Sequence, residues 1–249
     1  MNLDAGQESA TVLVPAYKEA EQVKGTLSDI AEAFRLARKR IEILVVLDVI
    51  PGDQTRDKVL EAAEKYDEIR FIERSGRRGV GDAISAGIKN AKGNIVIIAM
   101  GDHSEDPRDI VNLADVARFY DIVFTNRFRN GKPQGYPWIK YLANRLCNIS
   151  AKTIFRIPYS DITNAFKAYR RNTIKNIDLR STGFEVFLEL PIKALICAHR
   201  TTEVEVGHVV VKEKIAKFSA VKDGRRYVSL ILSFLRSAGP FSELGEQQR

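Results

Sequence analysis

NIVIIAMGDHSEDPRDIVNLADVARFYDIVFTN (residues 94–126) is the stretch whose reading decides the fold. It opens on a continuous apolar run (94–100) and passes through an acidic knot of Asp102, His103, Glu105 and Asp106. A segment with helical spacing of apolar residues follows (106–120), and a second apolar run closes the stretch (121–126). A strand, a helix and a strand in that order form a parallel crossover unit. Strands that are apolar throughout, rather than at alternate positions, are buried on both faces. Asp106 before Pro107 reads as a helix N-cap, since Asp accepts an orphan N–H and Pro is favoured at the first helical position.

Upstream the alternation repeats. ATVLVPAY (10–17), IEILVVLD (41–48) and IRFIE (69–73) read as strands. Helices are expected over 19–40, over 55–66 with Thr55 as a candidate cap, and over 80–93 ending in Gly93. Downstream, 138–155 is helical in period, DITNAFKAYRR (161–171) is mixed, and 184–198 is helical with a Pro interruption. TTEVEVGHVVV (201–211) alternates as a strand. The expected class is α/β, with a mostly parallel, Rossmann-like central sheet and helices on both faces. Without linkers or repeats, residues 1–249 read as a single domain: a ligand-binding half (10–126), a second half (127–212) and a basic, apolar tail (213–249).

Apolar residues make up 45% of the 249 and charged residues 29%, the balance of a globular chain with a sizeable core. Thirty-nine Lys and Arg against 32 Asp and Glu give +7, which suits a phosphate ligand or an acidic membrane surface. The basic residues are scattered and no nucleic-acid motif gathers them, so nucleic acid is not an expected partner. Cys147 and Cys197 sit in apolar helical segments and read as buried thiols in a reducing compartment. The N-terminus lacks the pattern of a signal peptide, and no apolar run reaches the ~18–20 residues that span a bilayer. A cytoplasmic location follows, with a peripheral membrane contact as an option.

In open α/β sheets, ligands bind at the carboxyl ends of the strands. That rule places Pro15–Glu19, Asp48, Gly79–Gly81 and Asp102 along one rim. Glycines before a helix admit a ligand's phosphate, but Ile84 stands where a dinucleotide fingerprint needs its third glycine. A carboxylate at a strand exit suits a hard cation such as Mg2+ or Mn2+. Each position also has a plainer reading: Asp48 as a turn cap before Pro51, Glu19 as a first-turn helix acid, and Arg77 and Arg78 as solvated charges.

VPAYKE (14–19), Asp48 after ILVVL, GVGDA (79–83), Asp102 after the fourth strand and DITNAFKAYRR, in this order, resemble family 2 glycosyltransferases of the GT-A fold. The branch resembled is that of the dolichyl-phosphate mannose synthase-like and polyprenyl-phosphate sugar transferases. The resemblance implies inverting, metal-dependent transfer from a UDP- or GDP-linked sugar to a polyprenyl phosphate. Under it, Pro15, Ala16, Tyr17, Glu19, Asp48, Gly79 and Gly81 bind the nucleotide. Asp102 with Glu105, rather than His103, holds Mg2+ or Mn2+. Arg127 in TNRF (125–128), Lys140, Asn144 and Asn164 face the phosphate or acceptor, and catalytic roles fall to Asp102, Arg127 and Asp161. Glu189, an isolated carboxylate on an apolar helical segment, is costly if buried unpaired and reads as a sugar-binding acceptor-side residue or the partner of a nearby Arg. Two family acids are replaced, by Val49 and Met100.

A lipid phosphate is already ionised and needs no strong base, whereas a hydroxyl acceptor does, and Asp161 or another carboxylate would then supply it. The alternatives are thus a soluble saccharide acceptor, or nucleotide-sugar binding without turnover. RYVSLILSFLRS (226–237), preceded by Lys214, Lys217, Lys222, Arg225 and Arg226, suits an anionic membrane interface, or else a helix packed on the domain or in a dimer.

Overall fold

The computed structural model describes residues 9–75, 79–129, 131–133, 136–207 and 220–236. The chain runs β1 (Ala10–Ala16), α1 (Val23–Leu36), β2 (Ile41–Val49), α2 (Thr55–Lys65), β3 (Ile69–Ser75), α3 (Val80–Asn90) and β4 (Ile95–Ile98). It continues through α4 (Pro107–Val116), β5 (Ile122–Asn126), α5 (Trp138–Phe155), β6 (Lys167–Arg170) and α6 (Arg171–Ile174). It closes with α7 (Val186–Cys197), β7 (Thr201–Glu205) and α8 (Ala220–Arg236).

These strands form one seven-stranded sheet in the order β3-β2-β1-β4-β6-β5-β7. The β3-β2-β1-β4 half is parallel, and β7 runs parallel to β5. β6 is antiparallel to both of its neighbours. The mostly parallel α/β reading therefore holds, with one reversed strand in the mixed segment 161–171.

The continuous apolar runs have a direct explanation in the core. Leu13, Leu44, Val46, Val96 and Ile98 point to one face, packed by α3, α5, α7 and α8. Their alternates Val12, Val14, Val45, Leu47 and Ile97 point to the other, packed by α1, α2 and α4. Both faces are covered, so both sets of alternate positions must be apolar.

Several expectations need correction. Helix α1 starts at Val23 because the N–H groups of Gln22 and Val23 both donate to the Glu19 carbonyl, making a turn of 19–22. Thr55 begins α2 rather than capping it, and its hydroxyl accepts from Glu19 N at 2.8 Å. Gly93 is not a helix terminator: a Cβ there would lie 2.6 Å from Thr11 N, so it lets the chain cross β1. β4 ends at Ile98 because Met100 N leaves the sheet to donate to the Glu105 carboxylate. Cys147 is half-buried and Cys197 exposed, because residue 197 ends α7 on its solvent side. Residues 208–211 of the expected last strand lie outside the described residues, as do Arg77, Arg78, Lys214, Lys217 and the end of the tail.

Asp106 caps α4 as read, accepting from Arg108 N at 2.9 Å with Pro107 next. The Arg108 guanidinium holds its carboxyl below the usual range. Asp106→Ala is expected to lower stability by about 1 kcal/mol in urea unfolding, with Asp106→Asn near wild type at neutral pH. The advantage over alanine is present above the ordinary Asp value and is lost as pH falls through the depressed native one.

Candidate active site at the carboxyl rim of the sheet

The parallel strands deliver Ala16, Val49, Ser75 and Ile98 to one rim. On the β1 side, Pro15 and Ala16 are buried, Tyr17 is half-buried and Glu19 is 8% exposed. Hydrogen bonding to Thr55 fixes the Glu19 backbone. Its side chain crosses toward the loop after β4, with Cγ 3.7 Å from the Cβ position at Gly101.

Asp48 is buried beside Arg74, its register partner on β3. Arg74 Nε donates to Asp48 Oδ1 at 2.8 Å and its NH2 donates to the Gly79 carbonyl at 3.1 Å. Arg74 thus ties two expected nucleotide-contacting segments together. It was missed in the sequence, although in-register ends of β2 and β3 are a signal that finds it.

Gly79 and Gly81 turn out to admit protein backbone. A Cβ at Gly79 would lie 2.2 Å from the Thr182 carbonyl oxygen and one at Gly81 2.0 Å from that of Ser181. Gly81 N donates to Thr182 O at 2.9 Å. Glu189 explains how segment 180–182 is held there. It is buried on α7 and accepts from Arg180 N, from Ser181 N and from the Lys193 ammonium at 2.5 Å. Burial pushes this carboxyl up, and those donors outweigh it to hold it below the usual range. Glu189 is neither unpaired nor paired with an arginine side chain; it supports the loop that meets the two glycines.

Asp102 and Glu105 lie on the loop leaving β4. Asp102 is fully buried, and its Oδ1 accepts from both the N–H and the hydroxyl of Ser104. Glu105 accepts from Met100 N at 3.1 Å, so its carboxylate folds back onto the backbone where β4 leaves the sheet. His103 turns away: its N–H donates to Thr26 Oγ1 and its ring lies 3.5 Å from Asp29 on α1. Among the described residues no group of three or more His, Cys, Asp or Glu forms a metal cage. Two carboxylates at one strand exit nevertheless fit Mg2+ or Mn2+, which such sites hold by one or two carboxylates plus phosphate oxygens and water.

Across the rim, Arg127 and Asp161 form one unit. Arg127 Nε donates to Asp161 Oδ2 at 2.8 Å, NH2 to Oδ1 at 3.0 Å, and the Arg127 backbone N–H to Oδ2 at 3.2 Å. Burial pushes the Asp161 carboxyl up, but the Arg127 charge and its hydrogen bonds outweigh this and hold it below the usual range. A guanidinium has five N–H donors. Asp161 takes the Nε side, which leaves the terminal edge of Arg127 for another anion. Arg127 also lines a cavity of about 270 Å³, together with Lys132 and the carboxylates Asp109 and Glu205. Glu105 lies close enough to act electrostatically on Arg127, so the two halves of the rim adjoin.

Asn144 and Asn164 support this pair from beneath. Asn144 Nδ2 donates to Thr163 Oγ1, and Asn148 Nδ2 reaches Thr163 Oγ1 and, at 3.4 Å, Asp161 Oδ1. Asn164 is buried and donates to Thr125 Oγ1 at 2.6 Å. Their amides hold loop 161–164 in place instead of lying open to a ligand. The side chain of Lys140, in the first turn of α5, lies outside the described residues. Asn148 and Lys167 belong to the network but were not singled out in the sequence, because nothing in a helical repeat or a short strand marks them.

Residues 11–178 match the sequence profile of Glycosyl transferase family 2. The chain belongs to this family. It is 28% identical over 189 residues to a dolichol-phosphate mannosyltransferase of Pyrococcus furiosus, covering 74% of this chain and 52% of that one. It is 30% identical over 202 residues to an undecaprenyl-phosphate 4-deoxy-4-formamido-L-arabinose transferase of Aeromonas hydrophila, covering 80% and 59%. The chain thus spans little more than half the length of these two relatives. A solved glucosyl-3-phosphoglycerate synthase from Mycobacterium tuberculosis, in complex with Mn2+, uridine diphosphate and phosphoglyceric acid, superposes with a TM-score of 0.69 at 16% identity. It covers 92% of this chain and 78% of its own, and it shares the fold. The family match takes in Asp48, Asp102, Arg127 and Asp161, while Glu189 and α8 lie beyond it.

Breaking a buried ion pair by removing one charge costs about 3–5 kcal/mol. Asp161→Asn should lose about that much at pH 7 in denaturant unfolding. Because the native carboxyl is depressed, the gap to wild type should shrink only as pH falls below the ordinary Asp value and through the native one. A gap unchanged at low pH would contradict an ionised Asp161. In a second test, Asp102→Ala should abolish the thermal stabilisation that a nucleoside diphosphate gives with Mn2+, leaving the unliganded melting temperature within a few degrees.

Proposed function

We propose that this glycosyltransferase moves a sugar, with inversion, from a UDP- or GDP-linked donor to a polyprenyl phosphate. The observation that carries this reading is the Arg127–Asp161 pair. Asp161 is tied along the side of the guanidinium and held ionised, so it is a poor proton acceptor and serves to aim the arginine. The free edge of Arg127 then suits a phosphate, which a guanidinium binds through paired hydrogen bonds.

In the reaction, an oxygen of the acceptor phosphate attacks the anomeric carbon from the face opposite the nucleotide. The bond from that carbon to the β-phosphate oxygen breaks, and the electron pair leaves with the nucleoside diphosphate. No proton moves. Asp102 and Glu105 are the residues to hold Mg2+ or Mn2+, which would neutralise charge on the departing diphosphate. Tyr17, Glu19 and Asp48 would receive base and ribose, with Arg74 holding the Asp48 carboxylate. Arg127 fixes the acceptor phosphate.

A membrane-side location is part of this proposal. No described helix is long and apolar enough to cross a membrane. Helix α5 instead exposes Ile139, Leu142, Leu146 and Ile149 at helical spacing. Helix α8 adds exposed Val228, Leu232 and Leu235, and the edge-to-face contact of Phe155 with Phe234 sets the two helices side by side. Arg225 and Arg236 supply positive charge on α8. Such a face suits the anionic cytoplasmic surface of a membrane that carries the acceptor. Tyr227 and Phe234 of α8 are buried, so deleting the whole segment would unfold core structure as well.

Donor turnover with Mn2+ should require a detergent-dispersed prenyl phosphate and stop on chelation. Turnover on soluble sugars alone would overturn the acceptor, and metal-dependent nucleotide binding without any turnover would overturn the enzyme reading. Leu142→Glu with Leu146→Glu should abolish co-sedimentation with anionic vesicles while leaving nucleotide binding intact. Wild-type binding should weaken with salt, since exposed charges are screened over ~10 Å at about 0.1 M. Vesicle binding equal to wild type in the double variant would place the contact elsewhere.

A further inference from the structure

Lys167 is a fully buried charged group at the rim that this mechanism does not use. It opens β6 opposite Ile98, at the rim where β4 ends. Its neighbours Phe166 and Ala168 pack on the α1–α4 side, so Lys167 leaves the sheet on the opposite face. There it is 1% exposed, with Nζ 6.0 Å from the centre of the Phe124 ring. An ammonium has three N–H donors. Among the described residues the hydrogen bond Lys167 makes is to the Asn164 carbonyl. The charges it meets are Asp161 and Arg127. A methionine would fill the same space without the desolvation of an ammonium, so packing alone does not account for lysine here.

We propose that Lys167 is a positioning residue of the anion subsite: anchored on the Asn164 carbonyl of the loop that carries Asp161, it holds the proton that turns this buried group from neutral to cationic when a phosphate docks on Arg127. The inference rests on the assignment of Arg127 to a phosphate. With a neutral Lys167, Asp161 and Arg127 cancel. With an ammonium the three sum to one positive charge, and an incoming anion favours that state. Burial pulls Lys167 down to about 7, with Arg127 acting in the same direction and Asp161 opposing. Near neutral pH the free site therefore holds the proton part of the time, and phosphate draws it in. Other titratable groups act on Arg127: Glu105 and Tyr136 from the rim and Tyr227 from α8. Tyr227 and the half-buried Cys147 of α5 are both pushed up by burial and stay neutral in this range.

The test is calorimetric titration of the full chain at pH 7, without divalent metal, in two buffers of different ionisation enthalpy. The probes are inorganic phosphate and a short, water-soluble prenyl monophosphate. The proteins are wild type, Lys167→Met and Lys167→Gln, each with its fold checked by thermal unfolding. A positive site draws protons off phosphate rather than onto it, so extra uptake by wild type is the protein's, and the readout is the difference in proton uptake. Wild type should take up more than either variant, by up to about half a proton per phosphate, the fraction of an amine uncharged at its own pKa. Both variants should bind phosphate several-fold more weakly, with nucleotide binding in Mn2+ unchanged. Uptake independent of Lys167, or no measurable phosphate binding by wild type, overturns the proposal. Lys167-dependent uptake with inorganic phosphate, but no sugar transfer to any prenyl phosphate, removes the acceptor reading alone. Sugar transfer with uptake independent of Lys167 removes the Lys167 proposal alone.

Discussion

The site depends on one constraint: the Asp161 carboxylate is committed to Arg127. A buried carboxylate without partners would take up a proton, and a buried guanidinium without one would not be tolerated. Together they form a neutral, geometrically fixed unit between the end of β5 and the loop before β6. Their commitment decides what chemistry the second half of the rim can support. An ionised carboxylate bonded along the side of a guanidinium does not serve as a base, but it aims the remaining N–H donors. Asn144, Asn148 and Asn164 then have a shared purpose, since their amides hold loop 161–164 at the height where the pair forms.

A second chain of support runs under the β1–β3 side of the rim. Glu189 gathers the N–H groups of Arg180 and Ser181, and the carbonyls of Ser181 and Thr182 press against Gly81 and Gly79. Arg74 joins Gly79 to Asp48. The α7 segment, beyond the family match, is therefore mechanically continuous with the rim proposed to hold the donor.

Much of this was legible in the sequence, for physical reasons. A strand covered on both faces must be apolar at every position, and β1, β2, β4 and β5 show this plainly. The cap at Asp106 and Pro107 was legible because its chemistry is local. What failed was long-range. Gly93, Thr55 and Gly81 look like local punctuation but are used for contacts with Thr11, Glu19 and Ser181, tens of residues away in each case. The Arg127–Asp161 pair was invisible for the same reason: both residues were singled out, but only the reversed β6 brings their loops together. Lys167 carried no signal, because a lysine opening a short strand ordinarily faces water.

Transfer to a prenyl phosphate, as proposed, requires Arg127 to be the acceptor's phosphate ligand. The most direct measurement is steady-state kinetics of Arg127→Lys with both substrates varied. An ammonium keeps the charge but loses the fork that Asp161 aims, a difference of about 1.5–3 kcal/mol for a charge-assisted contact. The KM for prenyl phosphate is expected to rise by about ten- to a hundredfold while the donor KM stays unchanged. A rise in the donor KM with the acceptor KM unchanged would place Arg127 on the nucleotide instead and contradict the account.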